Sequence, residues 1–323
     1  MLKRFFRLRR WLAGHLQELF VGTLIICLVW LSQIQIQLNL DSEEMCACIQ
    51  CMAGSKEDPW FAERYKHMVP KLLSRQNSEL RPKTRKWWQR LQGGPSKNYS
   101  ELVETLFSLF PDEEHYSDAD PHRCRTCAVV GNSGNLKGSH YGPLIDAHDF
   151  VIRMNKAPTE GFEKDVGSKT THRAIYPESA MDMDNSTHLV LVPFKIMDLE
   201  WLISVFTTKH ITRTYTRVKN TIQADKDKVM ILHPEFMRYV YEIWLQKQGK
   251  YPSTGFMMLV LSLHICDQVN IFGFGASKDG NWHHYFDKRY HHLLNTGVHR
   301  GSAEYNITLK LHQKNKIRMY KGW

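Results

Sequence analysis

The sequence predicts an α/β domain in which a mostly parallel sheet is flanked by helices. Three observations lead there. Five short runs, CAVVG (127–131), HDFVIRM (148–154), HLVLVPF (188–194), KVMILHP (228–234) and QVNIFGFG (268–275), have the apolar, β-branched character of strands covered on both faces. Helix patterns lie between and around them: DLEWLISVFTT (198–208), PEFMRYVYEIWLQKQG (234–249) and TGFMMLVLSLHIC (254–266). In the second of these, Phe236, Tyr239, Val240, Ile243 and Trp244 follow the spacing of one apolar helix face. Finally, strands and helices alternate along the chain, as a parallel sheet requires. Ligands of such sheets sit at the carboxyl ends of the strands.

The chain ahead of that domain reads as an address. Of 323 residues, 42% are hydrophobic and 24% charged, a balance that excludes a disordered chain, a collagen and a polytopic membrane protein. A chain this long can also bury a core without depending on disulfides alone. The net charge is +10, and half of it comes from Lys3, Arg4, Arg7, Arg9 and Arg10. The remainder is too mild for a nucleic-acid binder, which concentrates its basic groups on one face. Leu19–Leu31 (LFVGTLIICLVWL) is apolar, and extending it back to Leu16 gives a span of about 16 residues. That suits a thin membrane of the early secretory pathway. Basic residues before it and Asp41, Glu43 and Glu44 after it place the N-terminus in the cytosol. The rival, a cleaved signal peptide, lacks its small-residue exit; a buried soluble helix is the other alternative. The expected organisation is a cytosolic tail (1–15), a transmembrane signal-anchor (16–31), a stem (32–58) and a luminal domain (59–323).

Apart from Cys27 in the apolar run, the cysteines number six: Cys46, Cys48, Cys51, Cys124, Cys127 and Cys266. An even count behind a secretory address favours disulfides, with a zinc cluster as the other reading of the C-x-C-x2-C spacing. Sequons at Asn98, Asn185 and Asn306 agree with a luminal location. From Pro59 to Phe110 the chain shows helical patterns with Trp60, Phe61, Trp87 and Trp88, broken by GGPS at 93–96. The acidic segment 111–122 reads as a loop.

Four segments could hold chemistry. GNSGNLKG (131–138) follows the first strand and could cradle phosphate with backbone N–H groups. It matches neither the dinucleotide fingerprint nor the P-loop, and a plain βα turn is the alternative. In KYPSTGFM (250–257), Ser253 and Thr254 can cap the next helix and Gly255 permits close backbone approach. GFGASKDGNWHHYFD (273–287) is dense in glycine, aromatic and histidine residues, although adjacent His283 and His284 make a poor metal pair. In TGVHRGSAE (296–304), His299 precedes Glu304 by five residues, so it could be a general base held in one tautomer by a nearby carboxylate. Asp182 and Asp184 form a D-x-D of the kind that holds a divalent ion on a diphosphate. Set directly before the Asn185 sequon, they read instead as a solvated loop.

Together these segments resemble the animal sialyltransferase family. Residues 124–179 are similar to its long sialyl motif and 251–275 to its short motif. HYFD (284–287) is similar to the third motif and His299 with Glu304 to the very short motif. CACIQC, PESA, WWQRLQ and GNWHHYF most resemble the β-galactoside α-2,3-sialyltransferases acting on Gal-β-1,3-GalNAc. Asp287 departs from the glutamate of the third motif, and no acid lies between His299 and Glu304.

The resemblance implies a modified GT-A-like, Rossmann-type domain. It further implies transfer of sialic acid from CMP-sialic acid to a galactose-terminated glycoprotein or glycolipid, with no metal or other cofactor. It assigns His299 as the base, and His284, helped by Tyr251 and Tyr215, as the partner of the departing phosphate. Asn132, Ser133 and Asn155 would hold the donor, while Ser253, Thr254, Gly255, Gly273 and Trp282 would hold its cytidine and ribose. Gln92 would contact the acceptor. The family pattern pairs Cys46–Cys51, Cys48–Cys124 and Cys127–Cys266, and it places the enzyme in the Golgi membrane as a single-pass type II protein. A dehydrogenase-like protein would need the missing glycine fingerprint. A catalytically silent glycan-binding protein of the same fold would lose His299 or His284, and both are present.

Overall fold

The structure is a computed structural model that describes residues 22–33, 46–48, 51, 58–91, 98–113, 116, 118, 120, 122–287 and 297–322. The expected tail, the start of the anchor, most of the stem and Gln92 lie outside these residues.

The apolar N-terminal run is helical over 22–33 (α1), and its side chains are exposed, Ile26 and Trp30 each at 68%. No described helix is long and apolar enough to cross a membrane. Three short helices open the domain: α2 (Pro59–Arg64), α3 (Pro82–Leu91) and α4 (Tyr99–Leu109). Asp58 caps α2 by accepting from the Phe61 N–H, and Asn98 caps α4 by accepting from Ser100 N–H.

Alternation then begins with β1 (Thr126–Val130), α5 (Gly142–Asp146), β2 (Phe150–Met154), α6 (Glu163–Val166) and β3 (His172–Ile175). It continues through β4 (His188–Leu191), α7 (Ile196–Phe206), β5 (Val229–Ile231) and α8 (Pro234–Tyr239), which runs on as a π-helical turn over Val240–Trp244. Next come α9 (Thr254–Ile265), β6 (Gln268–Phe272), α10 (Gly301–Gln313) and β7 (Arg318–Tyr320). The strands lie in the order β5-β4-β3-β2-β1-β6-β7, and every described pairing is parallel. The order reverses between β1 and β6, which makes their carboxyl ends the natural ligand crevice.

Successive strand residues divide between the two faces of the sheet, as a period of two dictates. Cys127 and Val129 of β1 join Val190 of β4 in packing against α9 and α8. Leu189 and Leu191 pack oppositely with Trp88, Phe107 and Trp201 of α3, α4 and α7, while Ala128 and Val130 meet Ile145 and Val166 of α5 and α6. Helix α9 buries ten of its twelve residues, which explains an apolar sequence with no polar face. A disulfide between Cys127 and Cys266 ties β1 to the end of α9. The Cys48–Cys124 pair ties the chain before α2 to the residues just ahead of β1, and Cys46–Cys51 closes a short loop within that segment.

The five strands expected from sequence are all present, but β3 and β7 were not expected. β3 reads HRAI, and its His172 and Arg173 are buried at 3% and 5% exposure, so the apolar run that marks a covered strand is absent. Helix α10 was also missed, and with it a correction to the site follows.

Candidate active site

A cavity of about 860 Å³ opens at the carboxyl ends of β1, β2, β3, β4 and β6. Its floor is where two loops meet. Gly131 N–H donates to the Phe272 carbonyl at 2.7 Å and Ser133 N–H to the Gly273 carbonyl at 3.1 Å. A Cβ on Gly131 would lie 2.2 Å from the Gly273 carbonyl oxygen, and Gly273 itself has φ of +68°. Both positions therefore require glycine.

Asn132 and Ser133 follow on this floor, and Asn155 faces them from the end of β2. Asn155 takes φ of +57°, a conformation asparagine tolerates better than most residues. Arg173 holds it there by donating to its carbonyl at 2.8 Å. The buried Oδ1 atoms of Asn132 and Asn155 have no partner among the described residues. Buried polar atoms are almost always paired, so two unpaired oxygens on a cavity wall mark a place for ligand donors.

The α9 N-terminus supplies a second wall through Ser253, Thr254 and Gly255. Ser253 is the cap, its Oγ accepting from Phe256 N–H at 3.1 Å. The free N–H groups and dipole of that turn favour an anion. A Cβ on Gly255 would meet no protein atom closer than 3.6 Å, so the space it leaves belongs to the cavity rather than to packing.

His299 also lines the cavity, its ring edge-on to Tyr251 with centroids 5.0 Å apart. Its Nδ1 lies 3.1 Å from the Tyr251 carbonyl oxygen. A carbonyl only accepts, so Nδ1 carries the proton and the neutral ring presents its lone pair on Nε2. This corrects the expectation that Glu304 sets the tautomer. Glu304 lies in the first turn of α10, 8% exposed, and receives Ser253 N–H at 2.8 Å and Ser253 Oγ–H at 2.6 Å. Burial raises its carboxyl above the usual range, against the lowering effect of the Ser253 bonds and of His299. The carboxylate braces the cap of α9, and the backbone orients the histidine.

His284 enters from the third loop, joined to Ser133 by an isolated antiparallel bridge. Asp287 accepts from the His284 backbone N–H at 2.8 Å and stands 3.4 Å from its Nδ1. The His284 ring stacks on Phe286 at 5.0 Å. Trp282 and Tyr251 complete this side. Tyr215 lines the mouth, but its hydroxyl donates to the Leu91 carbonyl at 2.7 Å.

Sequence reasoning missed other lining residues, among them Tyr176, Glu178, Phe194 and Lys195. They sit beyond the ends of β3 and β4, and with β3 unrecognised, PES at 177–179 had no strand end to mark. Asp182 and Asp184 stay outside the cavity, as their reading as a solvated loop expects. Asp182 receives Lys219 at 2.7 Å, and Asp184 closes its own turn by accepting from Ser186 N–H at 2.8 Å. Among the described residues, no group of three or more His, Cys, Asp or Glu side chains could hold a metal ion.

The profile of glycosyltransferase family 29 (sialyltransferase) matches residues 72–316. The chain belongs to the family 29 sialyltransferases. Among its relatives, a CMP-N-acetylneuraminate-beta-galactosamide-alpha-2,3-sialyltransferase 1 of Sus scrofa is 48% identical over 86% of this chain and 82% of its own. The protein of the same name in Homo sapiens is 46% identical over 86% and 83%. Alpha-2,3-sialyltransferase 2 of Mus musculus is 45% identical over 86% and 80%. A crystal structure of a mammalian sialyltransferase superposes with a TM-score of 0.82 at 48% identity, covering 86% of this chain and 99% of that one. A second, described as a complex with Gal-beta-1-3GalNAc-ortho-nitrophenol, gives 0.80 at 48% identity, covering 86% and 100%.

Proposed function

We propose that this sialyltransferase moves sialic acid from CMP-sialic acid to the 3-hydroxyl of a terminal galactose, with Gal-β-1,3-GalNAc as acceptor, inversion at the anomeric carbon and no metal. The observation that carries the reading is one cavity lined together by His299, its Nδ1 held by the Tyr251 carbonyl, by His284 and by the α9 N-terminus. The acceptor assignment is supported by relatives named alpha-2,3-sialyltransferase 1 and 2 and by the disaccharide complex of a 48% identical structure.

His299 Nε2 removes the proton of the galactose 3-hydroxyl. The freed oxygen attacks the anomeric carbon from the face opposite CMP, the carbon–phosphate-oxygen bond breaks, and CMP leaves with the electron pair. Configuration inverts. The leaving charge is that of a monophosphate ester, which hydrogen-bond donors can stabilise without an ion. His284 does so by donating a ring N–H to the phosphate, with Asp287 beside its Nδ1. Tyr251 and Tyr215 assist, the latter after exchanging its Leu91 bond for the ligand. Asn132, Ser133, Asn155, Ser253, Thr254, Gly255, Gly273 and Trp282 hold the nucleotide.

We further place the enzyme in the Golgi membrane as a type II protein, with residues 16–31 as anchor. The basic tail and an apolar α1 whose side chains are exposed support this. The test of activity is transfer of labelled sialic acid to a panel of galactosides, with the product linkage read by NMR. An α-2,3 product on Gal-β-1,3-GalNAc is expected; preference for another acceptor or linkage refutes the assignment.

A further inference from the structure

An ion network that no step above uses reaches the cavity wall through Glu178 and Lys195. Lys195, 5% exposed, and Asp198, fully buried, belong to the start of α7. The Lys195 ammonium is 2.6 Å from Asp198 Oδ1 and 3.1 Å from Glu178 Oε1. Glu178 Oε1 also accepts from the Thr214 hydroxyl and, at 3.3 Å, from Tyr215 N–H. The same ammonium sits 4.2 Å from the centroid of the Tyr215 ring, within the range of a cation–π contact. Tyr215 is otherwise an exposed residue, at 53%, on a turn closed by the pairing of Arg213 with Arg217.

One carboxylate oxygen thus fixes the backbone of that turn, and one ammonium fixes its aromatic ring. Burying Lys195 and Asp198 and half-burying Glu178 gives little net stability, because desolvation offsets most of the attraction, and such networks are better attested as devices that specify geometry. Here the geometry specified is that of a side chain on the cavity wall. Glu178 divides its Oε1 between Lys195 and the Thr214–Tyr215 turn, although Asp198 already faces the same ammonium.

The geometry points to Glu178 and Lys195 as positioning residues that hold Tyr215 at the cavity during transfer. The inference rests on the role given to Tyr215 above and adds what puts it there. Glu178 and Lys195 touch no reacting atom, so their effect passes through the tyrosine.

A double-mutant cycle on the full-length chain tests it. Glu178→Gln, Tyr215→Ala and the pair are compared in kcat/KM for transfer, with CMP affinity by calorimetry and thermal melting alongside. Glu178→Gln should lower kcat/KM about tenfold and leave CMP affinity within about twofold. It should add almost nothing in the Tyr215→Ala background, since residues acting as a unit are non-additive. Full additivity, or a Glu178→Gln enzyme with native kcat/KM, overturns the inference. So does a neutral Tyr215→Ala. If Glu178→Gln fails to fold, Thr214→Val removes one donor from the same oxygen and enters the same cycle under the same criteria. His299→Ala is run in parallel: its insensitivity would sink the site reading itself, whereas additivity with a sensitive His299 sinks only the positioning role.

Discussion

The carbonyl of Tyr251 decides which nitrogen of His299 is basic, because an oxygen bearing only lone pairs leaves Nδ1 no role but donor. A general base contributes about 10²–10⁴ in rate. His299→Ala should therefore lower kcat by that order while calorimetry finds CMP affinity nearly intact. Near-native turnover by the folded variant would move the base elsewhere. His284→Ala should behave differently, since its hydrogen bond strengthens as charge grows on the phosphate. A loss on the order of 2–4 kcal/mol is expected, as for removal of an oxyanion donor. It should slow hydrolysis of CMP-sialic acid as much as transfer, because both reactions expel CMP. Loss of transfer with unchanged donor hydrolysis would deny His284 that role. Both histidines stood out in the sequence as polar residues in glycine-rich segments after the last expected strand. The bond that Ser253 donates to Glu304 did not, because it joins two elements across 51 positions of chain and the glutamate's helix had no apolar stripe to announce it.

Helix α9 is the element on which the site hangs, since its first turn lines the cavity and its last is tied to β1 by the Cys127–Cys266 disulfide. Near its end, His264 is stacked on Tyr65 at 4.5 Å, and burial pushes its imidazole down to about 3. Unfolded, it titrates near 6.5. Below that value the unfolded chain binds the extra proton, so stability is full above about pH 6.5 and falls as pH drops toward 3, by about 1.4 kcal/mol per unit from this group. His264→Phe keeps an aromatic ring and should flatten the dependence of the urea midpoint on pH between 7 and 5. An unchanged slope would assign it to other groups, and burial also lowers His233 and His148. At this scale the legible elements were those whose apolar residues run unbroken, such as β1, β4, β6 and α9. β3 was hidden because its buried Arg173 satisfies itself on the Asn155 and Ala157 carbonyls, a contact no local pattern encodes. Helix α10 was hidden because polar residues interrupt its buried positions, Glu304 and Thr308 among them.

For the whole molecule, one topological fact places the chemistry: the strand order turns back between β1 and β6, and the cavity lies at their carboxyl ends. Segments far apart in sequence, 131–133, 154–155, 253–255, 273–284 and 299–304, converge there. That convergence was expected from their resemblance to one family's motifs rather than from periodicity. The same view separates the D-x-D pair from the site, since Asp182 is engaged by Lys219 and Asp184 by its own turn. Under the proposed mechanism, charge on the departing CMP is met by histidine, tyrosine and the α9 N-terminus. Metal-free sialyl transfer to the galactose 3-hydroxyl is tested by the initial rate on Gal-β-1,3-GalNAc in excess EDTA, with the product linkage determined. An undiminished rate and an α-2,3 product are predicted; abolition by EDTA with recovery on adding manganese would contradict the account.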